Sequence, residues 1–135
     1  MTANAGDSRS IIVDRHGHPR QLTRDHKPDC PDEKKRILDR GGRVKPLTNS
    51  PGGQEIGPSR VWLAEVQVPG LAMSRSLGDY VAQSVGVSAE PEFNVYDISH
   101  DDRFIVIASD GVWEFLTNEQ VAQIVSPFYL TGQAE

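Results

Sequence analysis

An apolar run that stops on a charge sets the first constraint on this chain. Phe104, Ile105, Val106, Ile107 and Ala108 are apolar and three of them are β-branched; Ser109, Asp110, Gly111, Val112, Trp113 and Glu114 follow directly. That composition suits a β-strand buried on both faces. A carboxylate placed where a buried strand emerges is costly unless something compensates it. A bound cation would compensate it and would also bring a chemistry. An Asp-Gly pair is equally the strongest short signal for a tight turn. Local sequence leaves both readings open.

The remainder of the chain limits what such a strand can belong to. With 135 residues it is one domain at most, or part of a larger one. Hydrophobic residues at 37% and charged residues at 24% suit a globular protein. The net charge of −5 is mixed along the chain, without the basic stripe that nucleic acid requires. No window is apolar and long enough to span a membrane, and the N-terminal residues do not read as a signal peptide. Cys30 is the single cysteine, so no intrachain disulfide can form. That points to a reducing intracellular compartment, cytoplasmic or nuclear, and Cys30 reads as an incidental thiol.

Local signals predict an opening hairpin, with strands at Ser10 to Val13 and around Gln21-Leu22, turning through Arg15 to Pro19. Asp29 or Cys30 can cap a short surface helix that begins at Pro31 and stops at Gly41-Gly42, with Asp32 and Glu33 in its first turn. Residues 46 to 59, rich in Pro and Gly, read as a loop. Arg60 to Val68 reads as an edge strand or extended arm broken by Pro69-Gly70. Phe93 to Ile98 reads as a strand joined by a turn to the central apolar one. Thr117 to Gln120 has capping-box spacing for a helix that Pro127 is expected to end. So few elements make a poor core for an independent fold.

Four blocks carry possible chemistry. Gly6-Asp7-Ser8-Arg9 puts an acid in a turn at the head of a strand, and alone reads best as a turn. Asp25-His26-Lys27-Pro28 offers a histidine with no metal-type spacing to a second one, so a structural role is favoured. Leu71 to Asp79 sets Ser74 and Ser76 beside Arg75, without the elbow or neighbouring base that a nucleophilic serine needs. Asp110 and Glu114 supply two carboxylates four residues apart, a donor type that suits Mg²⁺ or Mn²⁺.

The order of these blocks, with Glu33…Arg36-Ile37…Gly41-Gly42-Arg43-Val44 and Glu90-Pro91-Glu92 at their places between them, resembles the metal-dependent protein serine/threonine phosphatases of the protein phosphatase 2C (PPM) type. The resemblance runs from residue 3 to about residue 126. It implies an α+β fold, part of a two-sheet antiparallel β-sandwich flanked by helices. It also implies hydrolysis of phosphoserine and phosphothreonine on phosphoprotein substrates by metal-activated water, with Mg²⁺ or Mn²⁺ as cofactor. By the same resemblance Asp110 is a metal ligand, Asp7 belongs to an additional metal site, and Glu114 stands where many relatives carry Asp, one methylene shorter. Residues from about 46 to 80 correspond to a flap where substrate and regulator contacts vary, and Trp113 to a packing anchor behind the metal loop. No Asp-Gly-His-Gly-Gly block, phosphate-holding arginine or closing Asp-Asn block occurs in this sequence. Residues 1–135 therefore resemble the middle to later half of a catalytic domain, and little or no activity is expected of them alone. A non-catalytic, phosphatase-like interaction protein is the alternative from a different class.

Overall fold

The structure is a computed structural model describing residues 1–50 and 52–132. Its elements are β1 (Thr2–Asn4), β2 (Arg9–Asp14), β3 (Pro19–Gln21), α1 (Pro31–Asp39), β4 (Arg43–Thr48), β5 (Glu55–Trp62), β6 (Pro69–Leu71), α2 (Tyr80–Gln83), β7 (Glu92–Asn94), β8 (Asp102–Ala108), α3 (Asp110–Trp113) and α4 (Asn118–Leu130). They fall into two units. One comprises Met1–Asn4, Ser8–Asp25 and the chain from Glu92 onward; the other comprises Ala5–Asp7 and His26–Pro91. The antiparallel ladders with helices are of the α+β class expected from the sequence.

In the first unit the predicted hairpin forms, with β2 antiparallel to β3 and, on its other edge, to β8. The strand buried on both faces is β2, the middle strand of its sheet, where Ser10, Ile11, Ile12 and Val13 are all buried. Among the described residues the apolar run expected to be doubly buried lies instead at the end of the β3-β2-β8 order. In β8, Phe104, Val106 and Ala108 turn inward while Ile105 and Ile107 remain 49% and 77% exposed. Composition fixed its β character, but burial depends on sheet order, which composition does not encode. Ile11 and Val13 pack with Trp113, Val121 and Ala122 of α3 and α4. The predicted strand at Phe93 shrinks to β7, which pairs with β1 and not with the apolar run.

The capping box is present: the Thr117 hydroxyl accepts from Gln120 N–H, and the Gln120 amide oxygen accepts from Thr117 N–H. Pro127 does not end α4, which continues to Leu130. A proline removes one backbone donor, yet the next turn re-forms here, with Thr131 N–H donating to Pro127 C=O.

In the second unit the order is β4-β5-β6, so β5 is central and not an edge strand. Most of the region read as a loop is this ladder. Pro46 and Pro58 lie at a register shift, where Lys45 faces Arg60 but Leu47 faces Ile56. A residue without N–H is tolerated at such a bulge, and for that reason the prolines did not exclude strands. Pro69-Gly70 likewise belongs to β6, where a Cβ on Gly70 would meet the Trp62 ring at 2.8 Å. α1 begins at Pro31 as expected, but it is more than a surface element. Ile37 is fully buried with Val44, Val61, Ala82, Val85 and Val87, and Gly42 is required because a Cβ there would come within 2.7 Å of Ile37.

Truncating Ile37 removes the centre of that cluster. Ile37→Ala should lower the unfolding free energy by about 3 kcal/mol in urea titration; a change below the error of the titration would contradict this packing.

Candidate functional site

Asp110 sits where the sequence placed it, directly after β8, but it opens a helical turn and not a hairpin. Ser109 is extended at the N-cap, and Glu114 N–H closes the turn on Asp110 C=O at 2.8 Å. Asp110 is half-buried and Glu114 is exposed one turn later. Residues four apart on a helical turn share a face, so these two carboxylates are neighbours.

What fixes this turn is a tryptophan and an arginine. Trp113 is buried, and its indole N–H donates to Ala108 C=O at 2.8 Å, tying α3 back to the end of β8. The Arg9 guanidinium lies 5.1 Å from the Trp113 ring centroid. Its Nε and Nη2 donate to both carboxylate oxygens of Asp25 at 2.9 and 2.7 Å, and Nη1 donates to Asn118 Oδ1 at 2.8 Å. A fork of this shape suits paired carboxylate oxygens and a ring face together. Asp25 raises the Arg9 pKa by hydrogen bonding, keeping the guanidinium charged. Trp113 is thus the packing anchor expected of it, whereas the bridging role of Arg9 was not read from sequence.

Asp7 belongs to the other unit. It is 5% exposed, and Lys27 Nζ lies on its Oδ2 at 2.5 Å. The two short segments are clipped together, since His26 N–H donates to Gly6 C=O at 2.9 Å and Gly6 N–H donates to His26 Nδ1 at 3.2 Å. His26 is fully buried in this clip, in keeping with a structural role.

Behind the clip lies a feature that sequence reasoning missed. Glu33 on α1 is 0% exposed and carries two arginines on one carboxylate. Arg36 donates to both of its oxygens at 2.9 and 2.7 Å, Arg75 Nη2 donates at 2.7 Å, and the Ser74 hydroxyl donates at 2.5 Å. Burial alone would raise the Glu33 pKa. The hydrogen bonds from Arg36, Arg75 and Ser74 outweigh it and hold the carboxyl well below the usual range. Arg36 also donates to Ser74 C=O and Gly86 C=O, and Arg75 to Glu90 C=O. Ser74 N–H in turn donates to His26 C=O at 2.8 Å. The signal available in sequence was Glu33 and Arg36 at i, i+3 beside a buried isoleucine. Ser74 is engaged as a donor to Glu33, which agrees with discounting serine catalysis.

Of the three predicted ligands, Asp110 and Glu114 lie one helical turn apart, and Asp7 is paired with Lys27. Among the described residues no group of three or more His, Cys, Asp or Glu side chains is placed to hold a metal ion. Mg²⁺ on one or two carboxylates keeps several waters, so Asp110 and Glu114 fit as part of a donor set. Asp7, already neutralised, does not.

Comparison with known proteins agrees with the motif order. The family profile described as Protein phosphatase 2C matches residues 1–132. Probable protein phosphatase 2C 61 of Arabidopsis thaliana is 44% identical over 129 residues, covering 93% of this chain and 38% of its own length. Probable protein phosphatase 2C 48 of Oryza sativa subsp. japonica is 41% identical over 134 residues, covering 93% and 36%. The crystal structure of serine-threonine phosphatase 2C from Toxoplasma gondii superposes with a TM-score of 0.73 at 27% identity, over 97% of this chain and 43% of that one. This chain therefore spans little more than a third of the length of these two plant relatives.

Glu33 provides a test of the site's framework. Glu33→Gln leaves two arginines facing a neutral group and should cost about 3 kcal/mol at neutral pH. Because the folded carboxyl titrates below its unfolded value, its stabilisation is complete above about pH 4.3 and is lost as pH falls further. Urea unfolding at a series of pH values should show the gap between wild type and variant closing below about pH 4; a constant gap would contradict this assignment.

Proposed function

This chain belongs to the protein phosphatase 2C family, and from that premise we propose that the domain it contributes to is a protein serine/threonine phosphatase using Mg²⁺ or Mn²⁺. The supporting observation is the fixed position of Asp110, a half-buried carboxylate at the end of β8 on a turn locked by Trp113 and Arg9. Asp110, with Glu114 beside it, is this chain's contribution to the cation's ligands. When bound, a divalent cation supplies a water of lowered pKa, able to act as a nucleophile near neutral pH. Trp113 and Arg9 act on Asp110 by orientation, holding the turn so that its carboxylate does not have to be ordered when the cation arrives.

Phosphoserine and phosphothreonine on proteins are the substrate class we assign. The β4-β5-β6 ladder and the connection between β5 and β6, with Leu47, Ile56 and Val66 half-exposed, are the surface we assign to substrate or regulator contact. A reducing intracellular compartment is supported by the single cysteine.

The test is a chimera in which this chain replaces the matching segment of the Arabidopsis relative, assayed on a phosphothreonine peptide. Hydrolysis should require Mg²⁺ or Mn²⁺, stop with EDTA, and fall by about 100-fold or more on Asp110→Asn, since even loss of residues supporting a ligand costs 10- to 100-fold. The isolated chain should hydrolyse little or none. An inactive chimera that folds would favour the non-catalytic reading, and a fully active isolated chain would contradict the ligand assignment.

A further inference from the structure

We infer that Lys27 is the resident counter-ion of Asp7 and excludes divalent cations from that carboxylate. The inference deepens the reading above by separating the acids of this chain that a cation reaches from the one it does not.

A carboxylate only 5% exposed must either lose its charge or find a partner, and Asp7 has the Lys27 ammonium at 2.5 Å. The partner is not a loosely wandering surface lysine. Its side chain is 29% exposed, and its backbone is held on both sides. The preceding residue, His26, is clipped to Gly6 by its own N–H and by the Gly6 N–H, and Cys30 N–H donates to Lys27 C=O at 3.1 Å at the approach to α1. The same clip fixes both ends of the pair, because Gly6 precedes Asp7 as His26 precedes Lys27. The backbone of both partners is therefore already ordered, and only the Lys27 side chain's own rotamers remain to be fixed by the pair.

Charge balance then decides what Asp7 can do. One ammonium on one carboxylate is neutral. A divalent cation on the same oxygens would face the ammonium at close range and would have to displace it. That displacement opposes cation binding by the strength of a charge-assisted, largely desolvated hydrogen bond, which corresponds to at least about tenfold in affinity. Nothing comparable stands on Asp110 or Glu114, for which no cationic partner is found among the described residues within salt-bridge distance. Asp7 is thereby a structural pin of the Gly6–His26 clip, and Lys27 sets whether it can become a ligand.

Amide spectra of the ¹⁵N-labelled full chain titrated with MnCl₂ test this, because the paramagnetic ion broadens signals near where it binds. In Lys27→Met, broadening at Gly6, Asp7 and Ser8 should begin at Mn²⁺ concentrations at least about tenfold lower than in wild type. Adding Asp7→Asn should abolish that difference, and Lys27→Arg, which keeps the charge and tests the idea if Lys27→Met does not fold, should behave as wild type. Equal broadening in wild type and Lys27→Met, or early broadening in Lys27→Arg, would overturn the inference. Broadening at Asp110 to Glu114 reads the proposed cation site separately; its absence, with the Lys27→Met effect present, would count against Asp110 and leave Lys27 standing.

Discussion

A single buried carboxylate organises the half of this protein that carries Asp7. Glu33 has no access to solvent and is held by two guanidiniums and a hydroxyl, a set of donors that leaves its charge fully matched. The donors come from two places in the chain. Arg36 lies one turn along α1, while Ser74 and Arg75 come from a segment with little regular structure of its own. The arginines also donate to the carbonyls of Gly86, Ser74 and Glu90. A stretch of irregular backbone is thereby given one geometry. It passes that geometry on through the Ser74 N–H to His26 and from His26 to Gly6.

The acids of this chain differ in function because they differ in what neutralises them. Glu33 is saturated by arginines and serves the fold. Asp7 is matched by one lysine and serves the fold while Lys27 stays. Asp110 is half-buried at the end of β8, and what surrounds it fixes its backbone and not its charge: an indole donating to Ala108 and a guanidinium stacked on that indole. A carboxylate positioned but not neutralised is what a cation site requires of a protein. This contrast is the ground on which Asp110 is proposed as a cation ligand in a chain that belongs to the protein phosphatase 2C family.

Much of the local structure was legible in the sequence because its causes are local. The hairpin at Arg15 to Pro19, the start of α1 at Pro31 and the Thr117 to Gln120 box each depend on residues within a few positions. What failed depends on pairing. The apolar run of β8 looked doubly buried, yet the central position went to β2, whose Ser10 gave it a less apolar appearance. Strands β4 and β5 were hidden by prolines that a register shift absorbs, and the length of α4 by a helix able to forgo one donor at Pro127. The same holds at the site. Asp110 and Glu114 are proposed from their spacing, whereas Asp7 meets Lys27 across 20 residues, and Glu33 meets Arg75 across 42. The motif order pointed to the family; the partners that decide which acid is available are tertiary.

The most direct test of this account is amide hydrogen exchange on Glu33→Gln compared with wild type. If Glu33 imposes the geometry of the segment behind Asp7, the amides of Ser74 and His26, which donate to His26 and Gly6 carbonyls, should lose protection together. That loss should exceed any change at Ile11 and Val13 in the central strand β2. Retained protection at Ser74 and His26, or a loss no larger there than in β2, would show that the buried carboxylate does not govern this part of the fold.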